Sequence, residues 1–450
     1  MKERLLKIDP LTRAECRAER RRIREEYGDK VKEIIGHKAS EELKLLMKVY
    51  DERILEWYAN LWDPEIGGFY YSNSARDTKG YLPDIESTAQ ALNSLQNFEV
   101  IGAKKTLPEE MQKKLLEFTL NLQDKDDGYF YHPQWGKDIG VSRRARDLSW
   151  SLDMIKSLGG EPRYPSPIKR AEKPEESTLP YYLRSTEEFK KYLSELNLET
   201  NSYWVGNLLS SQSIQIRAAG DEYVEILFAW LEEHQRPDNG VWQEEVNYHG
   251  SNGLMKISLI YSAFRRPMKY ATEAMEYAVN VAMCDRFIHF CCQFYNPLIT
   301  IRMLLDSLEI SGATEARAAA YAKLIELAPD LIRRTKEKVL TCKRDDGSFS
   351  YNYDQTAYTS QGAPVALYGE EEGDVNGTAI SSSGTLFSLC KVLGIPKAPV
   401  FGSKDKAVFM ELISKATSKE KIYECPEDLY FGFETHPENW CSALEKKQQA

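Results

Sequence analysis

The chain has 450 residues, is 42% hydrophobic and carries a net charge of −10. That apolar content is enough for a sizeable core, and the acidic balance argues against a nucleic-acid partner, which needs a basic surface to displace phosphate counterions. No apolar run reaches the roughly 18 residues that span a bilayer, and Met1 to Pro10 is too charged for a signal peptide, so the expected setting is the cytosol with no membrane partner.

In chain order, residues 1–60 are expected to form one or two helices packed on the outside of the main body. The run RAERRRIREE, from Arg17 to Glu26, mixes bases and acids and reads as a solvated helix face. From residue 61 a polar turn recurs: DPEIGGFYY at Asp63, QDKDDGYFYH at Gln123, QRPDNGVWQE at Gln235 and KRDDGSFSY at Lys343. The marker glycines are 68, 128, 240 and 347. The later gaps are close to double the first, so two further turns are expected near TNSYWVGN (Thr200) and CQFYNP (Cys292). This gives six units of about 55 residues. A helix with apolar residues at helical spacing leads into each turn, and a second helix follows it. Strands are scarce. The expected fold is all-α, an (α/α)6 barrel or toroid over 61–396 with a central cleft. Lys173 to Thr186, with prolines at 174 and 180, is expected as a long loop over that cleft. Residues 397–450 are expected to wrap back onto the barrel.

A second phrase is written twice. LPDIESTAQALNSLQNFEVIG begins at Leu82, and EGDVNGTAISSSGTLFSLCKVLGIP at Glu372. Asp84 and Asp374 stand just before apolar helical runs, where a carboxylate accepts from free backbone N–H groups and complements the helix dipole. A third relative, RARDLSWSLDMIKSLGG, keeps Asp147. The alternative is that Asp84 and Asp374 face each other across a site at the rim of the cleft. The eight cysteines show no CxxC spacing, so free thiols are expected, with no metal site and no cofactor.

DIESTAQAL and the Gln…Asp-Gly-aromatic turns resemble the helical toroids of terpenoid cyclases and protein prenyltransferases. In class II cyclases an Asp-x-Asp-Asp motif supplies the acid. Here the corresponding stretches are Asp84-Ile85-Glu86-Ser87 and Asp374-Val375-Asn376-Gly377, without the last Asp, and the Asp, Cys, His zinc set of prenyltransferases is missing. The six-hairpin toroid is also used by glycoside hydrolases and polysaccharide lyases. DNGVWQEEVNYHGSNGLMK is similar to the Asp-Gly-x-Phe-x-x-His…Tyr-x-Gly-x-x-Gly stretch of toroidal lyases that cut uronic-acid glycans, with Asp238, Gly240, Trp242, Tyr248, Gly250 and Gly253 matching. The histidine after the turn is replaced by Gln243 to Glu245, and His249 stands beside Tyr248.

The resemblance implies carbohydrate chemistry on an oligosaccharide, by hydrolysis or by elimination; a terpenoid cyclase-like enzyme and a silent ligand- or protein-binding toroid are the other readings. Elimination needs donors that neutralise a uronate carboxylate and a Tyr or His that moves the C5 proton. Asn247, Tyr248, His249 and Asn252 offer these, and Arg143, Arg144 and Arg146 offer guanidinium forks for the carboxylate. Hydrolysis needs two carboxylates flanking the scissile bond. Asp84 or Glu86 with Asp374 or Glu372 are the pair expected there, and Glu244 or Glu245 a third option. His132 and Trp135 in YFYHPQW, and Trp204 in NSYWVGN, with Trp242, are expected as sugar-stacking platforms or as packing between helices. Asn376 is the remaining polar candidate.

Overall fold

A computed structural model of the chain describes residues 5–243 and 248–423. It is mostly helical. The helices are α1 (Pro10–Met47), α2 (Arg53–Leu61), α3 (Asn73–Asp77), α4 (Ile85–Asn97), α5 (Glu109–Asn121), α6 (Val141–Ser157), α7 (Pro167–Arg170), α8 (Thr186–Ser194), α9 (Leu198–Ser211), α10 (Ser213–Ala219), α11 (Asp221–His234), α12 (Tyr248–Phe264), α13 (Ala271–Ala282), α14 (Cys292–Ile310), α15 (Thr314–Thr341), α16 (Val375–Ala379), α17 (Thr385–Val392) and α18 (Ser403–Ser414). Among the described residues strand is confined to the two-residue pairs Trp62–Asp63 with Gly68–Phe69, and Thr359–Ser360 with Ala363–Pro364. Among the described residues no helix is long and apolar enough to cross a membrane.

Helices α4, α6, α9, α12 and α14 pack each on the next, α14 packs on α17, and α16 packs back on α4. Helices α16 and α17 are one run joined by a π turn at Ile380–Gly384. In the chain, α2, α5, α8, α11, α13 and α15 precede the members of this circuit. Helix α1 lies against α15 and α18. Its partly solvated basic run contains one buried member, Arg20, which pairs with Glu52 and Asp405. Lys173 to Thr186 holds two short 3₁₀ turns, Pro174–Glu176 and Tyr181–Leu183.

The doubled phrase has a mechanical explanation. In each copy the Thr four residues after the Asp captures the turn that precedes its own helix. Thr88 Oγ1 accepts from the Phe69 N–H at 2.9 Å and donates to Asp84 O at 2.8 Å. Thr378 Oγ1 accepts from the Phe349 N–H at 2.9 Å and donates to Phe349 O at 3.1 Å. A buried N–H needs such an acceptor, so turn and helix are fastened together twice in the same way. In two other turns glutamine spans the loop: Gln123 Nε2 donates to Gly128 O at 3.3 Å and Gln235 Nε2 to Gly240 O at 2.8 Å.

Three sequence expectations are corrected. The first left-handed turn glycine is Gly67, with φ +90°, while Gly68 is in the strand pair. The stretch at Thr200 lies in α9 and breaks helical geometry only at Asn201 (φ −142°, ψ 48°), without a turn glycine, and that at Cys292 starts α14. Both lack the Gly-aromatic marker because the chain enters these helices directly, α9 through the Asn197 cap and α14 through a backbone bond from Cys291 N to Tyr351 O. Asp147 is not a cap, because α6 begins at Val141 and Asp147 sits inside it.

The ends of the circuit are knitted together. Val375 N donates to Tyr71 O at 2.9 Å, Asn73 Nδ2 to Asp346 at 3.1 Å and Arg53 to Asp345 O at 2.7 Å. Gly347 has φ +91°, and a Cβ there would lie 2.9 Å from Ile54 N, so the last turn meets α2 backbone to backbone. Replacing Thr378 by Val should leave the buried Phe349 N–H without its acceptor and cost about 1–3 kcal/mol. Thr378→Ser should recover most of that loss, read as the midpoint of urea unfolding.

Candidate active site

Asp84 caps α4. Its Oδ1 accepts from Glu86 N at 3.0 Å and Ser87 N at 3.1 Å, and its Oδ2 accepts from the Ser87 hydroxyl. Arg143, fully buried on α6, donates to Asp84 at 2.8 Å and also meets Asp147 at 2.9 Å and Glu86 at 3.5 Å. Burial opposes the Arg143 charge, but the three acids outweigh it and raise its pKa. The Asp147 pKa is raised as well, which disfavours its charged form. Burial lifts it to about 7 despite Arg143. The guanidinium lies 4.9 Å from the Trp135 ring, which stacks at 4.0 Å on His132. His132 bonds Pro83 O at 2.9 Å through Nε2, and its Nδ1 accepts from Gln134 N at 3.2 Å. Trp135 and His132 therefore shape the loop behind Asp84, and His132 is buried.

Asp374 caps α16. Its Oδ1 accepts from Gly377 N, and its Oδ2 from Tyr351 N, the Thr356 hydroxyl and Ala357 N. Burial outweighs these bonds and raises its pKa. Its hydrogen-bond partners are none of those of Asp84. Both oxygens of each aspartate are taken up by hydrogen bonds, Asp84 Oδ2 by the Ser87 hydroxyl and the others by backbone N–H groups and side chains. Glu372 accepts from Ser74 N at 3.0 Å, and burial lifts it to about 7.

The groups that come together lie in the circuit, on five of its helices. Glu86 on α4 pairs with Arg146 on α6, and Gln90 donates to Glu86 at 3.1 Å. Burial alone would raise the Glu86 pKa, but Arg146 and Arg143 hold it below the usual range. Lys256 on α12 faces this pair. Burial, then the Arg146 charge, lowers its pKa to about 8. Its Nζ is 5.8 Å from the centre of the Tyr203 ring on α9. Tyr248, at the start of α12, lies beside Asn252 and beside Cys292 of α14, and burial drives its pKa well above the ordinary value. Asn252 accepts from Asn296 of α14 at 2.6 Å. Cys292 Sγ is 3.5 Å from the Tyr351 hydroxyl.

Of the residues singled out from sequence, Glu86, Arg146, Tyr248 and Asn252 join this cluster. His249 is on the exposed side of α12, and Asn376 is half-buried on α16. Arg144 points elsewhere, with its guanidinium 5.3 Å from the Tyr129 ring. Trp242 is 1% exposed and donates to Leu231 O at 2.8 Å, so no face of its indole is open to a ligand. Trp204 packs against the hydrophobic core. Asn247, Glu244 and Glu245 lie outside the described residues. Sequence reasoning missed Lys256 and Tyr203. Lys256 carried a signal: it is the sole Lys or Arg between Tyr248 and Phe264, on a helix otherwise rich in apolar residues.

Among the described residues no set of three or more His, Cys, Asp or Glu is placed to hold a metal ion, and the six described cysteines are free thiols. The cluster offers proton transfer and recognition of an anion instead. Arg146 and Lys256 supply positive charge, and Tyr203, Tyr248 and Asn252 supply hydrogen-bonding groups.

Two outcomes follow from the buried charges. Burial lowers the His132 pKa to about 4, below its unfolded value of about 6.5. The unfolded chain then binds the extra proton first. Stability is complete above pH 6.5 and should fall by roughly 3 kcal/mol as the pH drops through 4. Urea titrations across that range should show a shallower decline in His132→Asn. Replacing Arg143 by Met should strand three buried acids and cost about 3–5 kcal/mol, measured by the same unfolding. The chain was also compared with known families, curated proteins and solved structures, and no match was found.

Proposed function

We propose that the chain is an (α/α)6 toroid that processes an acidic oligosaccharide by eliminating across C4 and C5 of a uronate. The observation that carries this reading is the placement of Lys256, Arg146, Tyr203 and Tyr248 on neighbouring circuit helices. A base with a pKa near 8 suits proton abstraction near neutral pH. In this reading Arg146 and Asn252 bind the uronate carboxylate, which makes the C5 proton more acidic. Unprotonated Lys256 removes that proton. The C5–H electrons become the C4–C5 double bond, the C4–O bond breaks, and the leaving oxygen takes a proton from the Tyr248 hydroxyl. Solvent then exchanges the proton from Lys256 and restores that of Tyr248.

Elimination is preferred to hydrolysis because Asp84 and Asp374 are committed to capping, and Glu86 is held by two arginines. A terpenoid-cyclase reading is disfavoured by the charge of the cluster, since an alkene substrate needs an apolar cavity. The overall charge of −10 does not oppose an anionic substrate when the site itself presents Arg146.

Incubation with an oligogalacturonide should give fragments with no added water and a rise in ultraviolet absorbance from the unsaturated uronate. The rate should climb as the pH rises through about 8, because Lys256 must lose its proton. Lys256→Met should lower kcat by about 10²–10⁴-fold with unfolding unchanged in shape. Fragments carrying added water, with flat absorbance, would reject elimination.

A further inference from the structure

Tyr248 faces a second space besides the polar cluster. A cavity of about 380 Å³ opens at the rim, lined by Tyr248, Arg286, Phe287, His289, Gln293 and Lys338 among others. Its wall carries exposed aromatic surface in Phe287 and His289. Phe287 is 58% exposed, and its neighbour Tyr353, outside the lining, is 40% exposed. Phe287 meets Tyr353 at 5.0 Å and His289 at 5.2 Å, edge to face in both cases. Further in, Tyr248 meets Phe290 edge-on at 5.5 Å, and Phe290 stacks on Tyr351 at 5.9 Å. One group of aromatic rings thus lies at the surface and a second beside the cluster.

The platform is braced from below. Tyr353 N donates to His289 O at 3.0 Å and Cys291 N to Tyr351 O at 2.7 Å, so the two segments carrying the rings are bonded to each other. Two cations share the cavity. Among the described residues neither Arg286 nor Lys338 pairs with a carboxylate; Lys338 donates to Ala282 O at 3.3 Å. An exposed ring beside two cations that pair with no carboxylate matches a ligand with an apolar face and a negative charge. A pyranose offers a CH-rich face to aromatic rings, and a uronate adds a carboxylate for a guanidinium.

We propose that this cavity is a second saccharide subsite. It takes the uronate next to the one undergoing elimination, with the sugar face on Phe287 and the carboxylate on Arg286 and Lys338. The proposal rests on the elimination reading for the direction in which the chain of sugars runs.

The test is calorimetric titration of trigalacturonide into the Lys256→Met chain, which binds without turnover. Phe287→Ala and Arg286→Ala are then placed in that background; both side chains are exposed, and their loss leaves the core intact. Each should weaken binding by about tenfold, and the neutral trigalactose should bind more weakly than trigalacturonide to the parent but equally to parent and Arg286→Ala. Unchanged affinity in both variants would overturn the subsite, as would the absence of trigalacturonide binding to the parent. The elimination reading is judged apart, by unsaturated product from the wild-type chain. Binding that weakens in both variants, with no such product, would remove the elimination reading and leave the saccharide cavity standing.

Discussion

A guanidinium shut away from water must be neutralised where it stands, because an unpaired buried charge costs several kcal/mol. Arg143 meets that requirement with three acids at once, Asp84, Glu86 and Asp147. Each of those acids has a second task. Asp84 starts α4, Glu86 reaches Arg146, and Asp147 belongs to the same helix as Arg143. The packing of α6 on α4 and the electrostatics around Lys256 are therefore one problem with one solution. Shared hydrogen bonds in a low-dielectric interior strengthen one another and hold a single geometry. Arg143 also donates to Ser360 O at 3.2 Å, which extends the same constraint to the loop before α16.

Elements with local signals were legible in the sequence. The helices follow apolar spacing, and the turns at Gly128, Gly240 and Gly347 follow the Asp-Gly-aromatic pattern, since each needs a left-handed residue. Asp84 and Asp374 were legible as caps for the same reason: the interaction that selects them lies within three residues. The site was legible only in part. Glu86, Arg146, Tyr248 and Asn252 stand near helix starts that sequence could place, whereas Lys256 and Tyr203 meet through the packing of α9 on α12. That juxtaposition depends on helix rotation, which periodicity in one helix does not encode.

The aromatic residues show a second limit. Trp135 and Trp242 have the composition of a sugar platform and serve as packing. Phe287 and Tyr353 carry no such pattern in the sequence, yet they are among the rings that face solvent. A ring's chemistry is the same in both places; only exposure separates them, and exposure is a property of the assembled chain. Charge behaves likewise. The acidic surplus is a sum over the whole molecule, while Arg146 and Lys256 set the sign at one point within it.

The seam between the two ends of the circuit has a temporal side. Tyr71 waits for Val375, and Arg53 for Asp345 and Gly347, so the first helices lack their final neighbours until about 300 more residues have left the ribosome, roughly 15–60 s at ordinary rates of synthesis. During that interval α4 exposes the face that α16 will cover. A chain folded only that far would leave the Tyr71 carbonyl and the covered face of α4 open to water or to the matching segment of a neighbouring chain.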